Sequence, residues 1–328
     1  MDRRRLLEAL PALLALCAAP QALAQAANRA TVGVLIAFAE TDPVMRPRLA
    51  AFGDGLQKLG WREGHNLRLE VRHGRNAAEM QRQAAELAAL GPAVMLVQTN
   101  LGLAAARQQN IAVPMVFVAV SDPVGSGFVA SLARPGGNVT GFANFAPEMG
   151  AKWLQVLREI SPRLERIVLL LNPAIAANRE LAHSAASAAD AAGVGATTIM
   201  SGDDAALERA AVDFVGKRRG GIIVFPNPTN TANQKQIIDT AARHKLPAIY
   251  PFDYYAKNGG LVAYGIDLKE QFRLAAEYVD RILRGAKPAD LPVQLPDKYE
   301  LIINQRTARA LELSVPGTLL ARAEEVIE

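Results

Sequence analysis

Cysteine is nearly missing from this chain: of 328 residues only Cys17 carries a thiol, and it lies close to the amino terminus. A lone cysteine excludes an internal disulfide and a cysteine-built metal site. The four histidines (His65, His73, His183, His244) share no metal-ligand spacing, and neither a Gly-x-Ser-x-Gly elbow nor a His-Glu-x-x-His helix occurs. No metal and no cofactor is expected. Aromatics make up 5% of the residues and do not interleave with the basic clusters Arg163/Arg166 and Lys217-Arg218-Arg219. That argues against nucleic acid as a partner. Long hydrophobic runs are lacking too. Residues 6–19 are mostly Leu and Ala, but Glu8 and Pro11 break them, and the stretch is too short to span a bilayer.

What is present at the amino terminus reads as an export signal over residues 1–24. Arg3, Arg4 and Arg5 form a basic start, the Leu/Ala stretch follows, and Ala22-Leu23-Ala24 offers a small-x-small cleavage site before Gln25. Periplasmic delivery is the expectation, by either the general or the twin-arginine route. Leu16 stands where lipoprotein processing needs a small residue, so Cys17 reads as leaving with the signal. About 300 remaining residues suggest two domains, and at 50% apolar composition each can bury a core.

From residue 31 short apolar runs alternate with helical patterns. "TVGVLIAF", "AVMLVQ" and "VPMVFVAV" show no polar alternation, as strands covered on both faces should not. Leu49, Phe52, Leu56 and Leu59 form a helical stripe between the first two strands. "RIVLLLN", "ATTIMS", "GIIVFPN" and "LPAIYPF" repeat the order of elements at an offset of roughly 130 residues. The expected fold class is α/β: two doubly wound parallel-sheet lobes joined by a hinge of three crossings. The expected division is 30–142 plus 266–290 for the first lobe, and 143–265 plus 291–328 for the second. The Gly-rich tract "ARPGGNVTGF" reads as the first hinge strand, with Gly136, Gly137, Asn138 and Gly141 as pivots and Gly265 as another.

In open parallel sheets ligands sit beyond the carboxyl ends of the strands, and two such edges facing one another line a cleft. The residues just after each apolar run are therefore the candidates. They are Phe38, Thr99, Asn100, Ser121, Asp122 and Asn144 from the first half, with Asn172, Asn227, Tyr250 and Asp253 from the second. Nearly all are hydroxyls, amides and aromatics, a set suited to binding and poor in catalytic groups. Alternatives stand beside each: Thr99 or Asn100 as a plain helix cap, Asp122-Pro123 as a turn, and the aromatic group Tyr250, Phe252, Tyr254, Tyr255 as core. "GSGFVA" has the spacing of a dinucleotide loop, but four residues separate it from the strand end, against the fingerprint's requirement. Asp122, Asp253 and Asp267 could serve as acid and base if they converged, which would make an exported enzyme.

The stretches "VPMVFVAVSDPVGSGFVASLARPGGNVTGF", "ARHKLPAIY", "GGLVAYGIDL" and "ILRGAKPADLPVQLPDKYELIINQRTARALEL" strongly resemble the ABC-transporter substrate-binding proteins of the tryptophan/tyrosine type. The resemblance covers nearly all of the chain after the signal. It implies a type I periplasmic binding fold, a small-molecule ligand (an amino acid, aromatic in some members), a membrane permease as partner, and a monomer. It would place Ser121 and Asp122 on the ligand, Thr99 on its carboxylate, and Asn227 opposite. Two departures stand out. Asn227 occupies a position where many members carry Asp, and "QTNLGL" replaces the usual small-Thr-Pro opening. The same clamp could equally serve a sensor or chemoreceptor.

Overall fold

The computed structural model describes residues 29–215 and 219–328. The expected signal, Cys17 and Lys217-Arg218 lie outside the described residues. The first sheet is built from β1 (Ala30–Ile36), β2 (Leu67–His73), β3 (Val94–Gln98), β4 (Met115–Val120) and β5 (Val139–Ala143). Between them run α1 (Met45–Lys58), α2 (Ala77–Ala89) and α3 (Thr99–Gln108). All neighbours are parallel in the order β2-β1-β3-β4-β5. The uninterrupted apolar strands are explained by two separate cores, one on each face. Val34, Ile36, Leu96 and Val118 belong to one cluster, and Leu35, Met95, Val97 and Phe117 to the other. β2, the strand with alternating character, lies at the sheet edge.

The second sheet follows α4 (Met149–Ile160) and takes in β6 (Arg166–Leu171), β7 (Gly195–Met200), β8 (Gly220–Val224), β9 (Ala248–Tyr250) and β10 (Val262–Gly265). Its helices are α5 (Ala176–Ala191), α6 (Asp204–Val215), α7 (Pro228–Ala232), α8 (Gln234–Arg243) and α9 (Asp253–Lys257). The chain then returns to the first lobe as α10 (Leu268–Leu283), before β11 (Glu300–Asn304), α11 (Gln305–Ala310), α12 (Gly317–Leu320) and β12 (Glu325–Ile327) rejoin the second. The order is β12-β11-β10-β9-β8-β6-β7. The pairing of β11 to β10 is antiparallel, so the last two strands run against the other five.

Helix α10 is amphipathic. Phe272, Ala275, Ala276, Val279 and Ile282 are buried with Met45, Phe52 and Leu56 of α1. Each large side chain so buried contributes about 1.5–3 kcal/mol. Trp61 Nε1 donates to Asp280 Oδ1 at 2.8 Å and holds the far end of α10 down.

Three segments pass between the sheets: 144–148, 266–267 and 295–299. This corrects the hinge reading in part. Gly136, Gly137 and Asn138 precede β5 and stay within the first lobe, where Asn138 Nδ2 donates to the carbonyls of Ile111 and Val113, both at 2.9 Å. The stretch Val139–Ala143, read as hinge, is a fully buried fifth strand. Gly141 is required there because its φ is 151° and a Cβ would stand 2.1 Å from the Phe117 carbonyl oxygen. Gly265 does adjoin a crossing. At the other end of α10, Val293 and Gln294 donate to Leu132 and Gly141 of the first lobe, so that lobe extends beyond 290.

Helices α4 and α5 meet where Gly150 lies against Leu181, whose carbonyl oxygen would be 1.9 Å from an added Cβ. Gly150→Ala is expected to lower unfolding free energy by about 1–3 kcal/mol through forced separation of the pair. Urea titration would register it as a lower midpoint at unchanged slope.

Candidate functional site

The carboxyl edges of the two sheets face one another across a cavity of about 30 Å³. Both contribute at their switch points, where strand order reverses between β1 and β3 and between β6 and β8. From the first lobe come Phe38, Thr99, Asn100 and Ser121, with Asn144 from the first crossing; from the second comes Asn227. Six of the ten expected residues thus share one wall. A larger groove of about 600 Å³ opens beside it, shares Asn100, Leu101, Ile175 and Pro228, and takes in Asn172.

Three expected residues lie elsewhere. Tyr250 is 1% exposed and stacked on Tyr255, ring centres 4.8 Å apart, inside the second core. Asp122 turns its Oδ1 to the amide of Gly125 at 2.9 Å. Asp253 opens α9 and pairs with Lys257 Nζ at 2.8 Å. With Asp267 capping α10 through the amides of Lys269 and Glu270, the three aspartates considered as acid and base are each occupied locally, and none lines the cavity.

The cavity edge of the first lobe is strained. Thr99, Ala119 and Asp122 adopt φ of 68°, 57° and 43°, a region that costs non-glycine residues about 1–2 kcal/mol each. At Ala119 the β4–β5 register shifts; its amide, freed from the ladder, donates to Gln271 Oε1 at 3.1 Å, while Gln271 Nε2 donates to Ala143 at 2.8 Å. Such strain gathers at binding sites. Asn100 does not cap α3. It accepts from the Ser121 amide at 2.9 Å and donates to the Ser121 carbonyl at 2.8 Å, pinning the end of β4 beside α3.

Asn227 plays the matching role opposite. Its Oδ1 caps α7 by accepting from the Asn230 amide at 2.9 Å, and its Nδ2 donates to Ser201 Oγ at 3.0 Å. Thr231 Oγ1 meets the Tyr254 hydroxyl at 2.9 Å. Asn144 is different: it is 2% exposed and its Oδ1 has no partner.

The sequence reading missed Arg48 and Gln98 as members of the wall, and named Phe252 and Tyr254 only within their aromatic group. Arg48 is 5% exposed, pairs with no described carboxylate, and lies 5.4 Å from the Tyr254 ring centre across the lobes. Its guanidinium pKa is lowered, chiefly by desolvation, yet the group stays charged. A signal for it existed, because Arg48 precedes Phe52 and Leu56 at intervals of four on the buried stripe of α1.

Two α/β lobes, opposed at their carboxyl edges around a polar and aromatic cavity and joined by three crossings, define the build of the type I periplasmic binding proteins. The chain belongs to the ABC transporter substrate-binding protein family, which it matches over residues 17–327. It is 24% identical over 264 residues to a tyrosine-binding protein of Clostridioides difficile, spanning 80% of this chain and 75% of that one. Among solved structures it resembles a conserved domain protein of Vibrio cholerae (TM-score 0.83, 26% identity, covering 90% of this chain and 99% of that one). It also resembles an ABC domain of Streptococcus pneumoniae in complex with L-Trp (TM-score 0.82, 21% identity, covering 91% and 100%). A ligand-free, open substrate-binding protein of Clostridium difficile matches at TM-score 0.67 and 20% identity, covering 91% and 99%. Among the described residues no helix is long and apolar enough to cross a membrane.

Burial holds the Tyr254 hydroxyl up to about 12 and raises Tyr250 and Tyr255 as well. A tyrosine neutral when folded favours the native state below the unfolded pKa near 10, and that contribution is lost as pH rises through the folded value. Stability is therefore expected to fall between about pH 10 and pH 12, and Tyr254→Phe to flatten that fall; thermal melts across the range measure both.

Proposed function

We propose that this protein is exported to the periplasm, captures a small carboxylate-bearing solute of amino-acid size between its lobes, and presents the closed form to an ABC permease. The observation that carries the reading is the cavity wall: both sheets supply hydroxyls, amides and aromatic rings to one point. Nothing on that wall resembles a catalytic pair, so the protein acts by binding. Phe38 and Phe252 offer apolar faces, Ser121 and Asn144 offer hydrogen bonds, and Thr99 brings the amino-terminal end of α3, which favours negative charge. The tyrosine and L-Trp in the names of its relatives support an aromatic or apolar side chain on the solute.

Binding works as a two-state clamp. A solute touching both lobes only when they are shut draws the population toward the closed form by its differential affinity. The 144–148, 266–267 and 295–299 crossings take up the motion, and the exported protein works as a monomer. Asn100 and Asn227 hold the strand ends in place for Ser121 and Ser201, and Asp122 shapes the lip beside them.

Thermal unfolding with a panel of amino acids, small carboxylates and sugars tests the reading. A true ligand at 100 times its dissociation constant adds about 2.7 kcal/mol, a rise of several degrees. Ser121→Ala and Asn144→Ala are each expected to weaken that ligand by about 1–3 kcal/mol. A panel in which only sugars stabilise the protein would reject the carboxylate class.

A further inference from the structure

Among the residues of the cavity wall, Arg48 is the one with a full charge at neutral pH. Carboxylates nearby are otherwise engaged and lie off the wall. Asp42 Oδ1 accepts from the Val44 amide at 3.0 Å, Asp253 is paired to Lys257, and Asp122 caps Gly125. Asn227 is neutral, and both ends of its amide are already bonded within the second lobe. The wall itself therefore carries charge of one sign, with Asp253 and Asp42 acting on the guanidinium from off the wall. A buried guanidinium and the amino end of α3 attract an anion, and the described wall residues include no carboxylate to meet a ligand cation. On the same wall as the guanidinium, Asn144 Oδ1 is a buried acceptor with no donor among the described residues.

We infer that the ligand is a carboxylic acid lacking an ammonium group, a hydroxy acid or similar monoanion of amino-acid size, with its carboxylate received by Arg48 and a neutral hydroxyl or N–H donor received by Asn144 Oδ1. This rests on the solute-capture reading above and narrows it. A carboxylate against an Arg fork makes two parallel charge-assisted hydrogen bonds. An α-ammonium in the same place would lose its hydration, gain one neutral acceptor and stand near a like charge, an arrangement that buried ions do not tolerate without a counter-charge. A hydroxyl in the ammonium's position satisfies Asn144 and avoids that cost. In this arrangement Arg48 and Tyr254 are in contact and the cavity is only about 30 Å³, so an acid of this size enters as the lobes part, its carboxylate taking the place of the ring face as the guanidinium's partner.

Calorimetric titration of the exported protein with matched pairs tests this: phenyllactate against L-phenylalanine, indolelactate against L-tryptophan, and hydroxyisocaproate against L-leucine. At least one hydroxy acid is expected to bind, tenfold or more tighter than its amino acid. Arg48→Met should lose at least thirtyfold toward that acid without lowering the melting temperature of the free protein, and Arg48→Lys should keep part of the affinity. An amino acid that binds as tightly as its hydroxy acid overturns the inference and leaves solute capture standing. So does Arg48→Met binding the acid as the unaltered protein does. Failure of all six compounds to bind would remove the carboxylate reading itself, and this inference with it.

Discussion

Backbone amides and carbonyls at the carboxyl ends of parallel strands must be satisfied after the ladder stops, and here that requirement organises everything around the cleft. Side-chain amides meet it. Gln271 bonds the freed amide of Ala119 and the carbonyl of Ala143. Asn100 brackets both polar groups of Ser121. Gln98 Oε1 accepts from the Ala37 amide at 3.2 Å. In the second lobe Asn230 Nδ2 donates to Leu170 and Phe225, and Asn178 Nδ2 to Pro226. Unpaired, each such group would cost about 1–3 kcal/mol. Because these amides are consumed in shaping the edges, few polar atoms are left over for a ligand, and the leftovers are the informative ones.

Cross-lobe continuity depends on the first crossing. Phe145 packs on Trp153, Phe252 and Tyr299, with ring centres 5.2, 5.8 and 6.1 Å away. Its neighbour Asn144 donates its amide to Val120 of the first sheet at 2.8 Å and accepts from the Tyr299 hydroxyl at 3.3 Å. One short segment is thus anchored in the second core and hydrogen-bonded to the first. Asn144 sits where the two lobes and the cavity wall meet.

Much of the fold was legible because strands buried on both faces leave unbroken apolar runs: β1, β3, β4, β6 and β8 all read directly from the sequence. β5 did not. "VTGFA" is short, contains a glycine and follows a Gly-Gly pair, so its composition speaks of a turn, while its burial comes from β4 on one side and residues 291–294 on the other. The site was legible by position, since strand ends point at the cleft, and six of ten candidates meet there. Which way a strand-end side chain turns is decided by local bonds. Asp122 is drawn to Gly125 and Tyr250 to Tyr255, and nothing in one sequence announces either. Arg48 was hidden for the opposite reason: a charged residue on a helix normally reads as solvated surface.

That buried arginine also bears on the energy of closure. Desolvating a guanidinium that pairs directly with no described carboxylate is costly, and the contact with Tyr254 returns only about 0.5–2 kcal/mol. As the lobes lie, the charge is covered by Tyr254 of the second lobe; parting them would return it to water. Closure without an anion is therefore penalised, and closure with one is not. A difference of about 1.4 kcal/mol between those two cases already changes the closed fraction tenfold, so a single uncompensated charge can make shutting of the lobes conditional on the ligand. On the proposed reading, the same residue that selects the sign of the ligand would also disfavour closure when nothing has been caught.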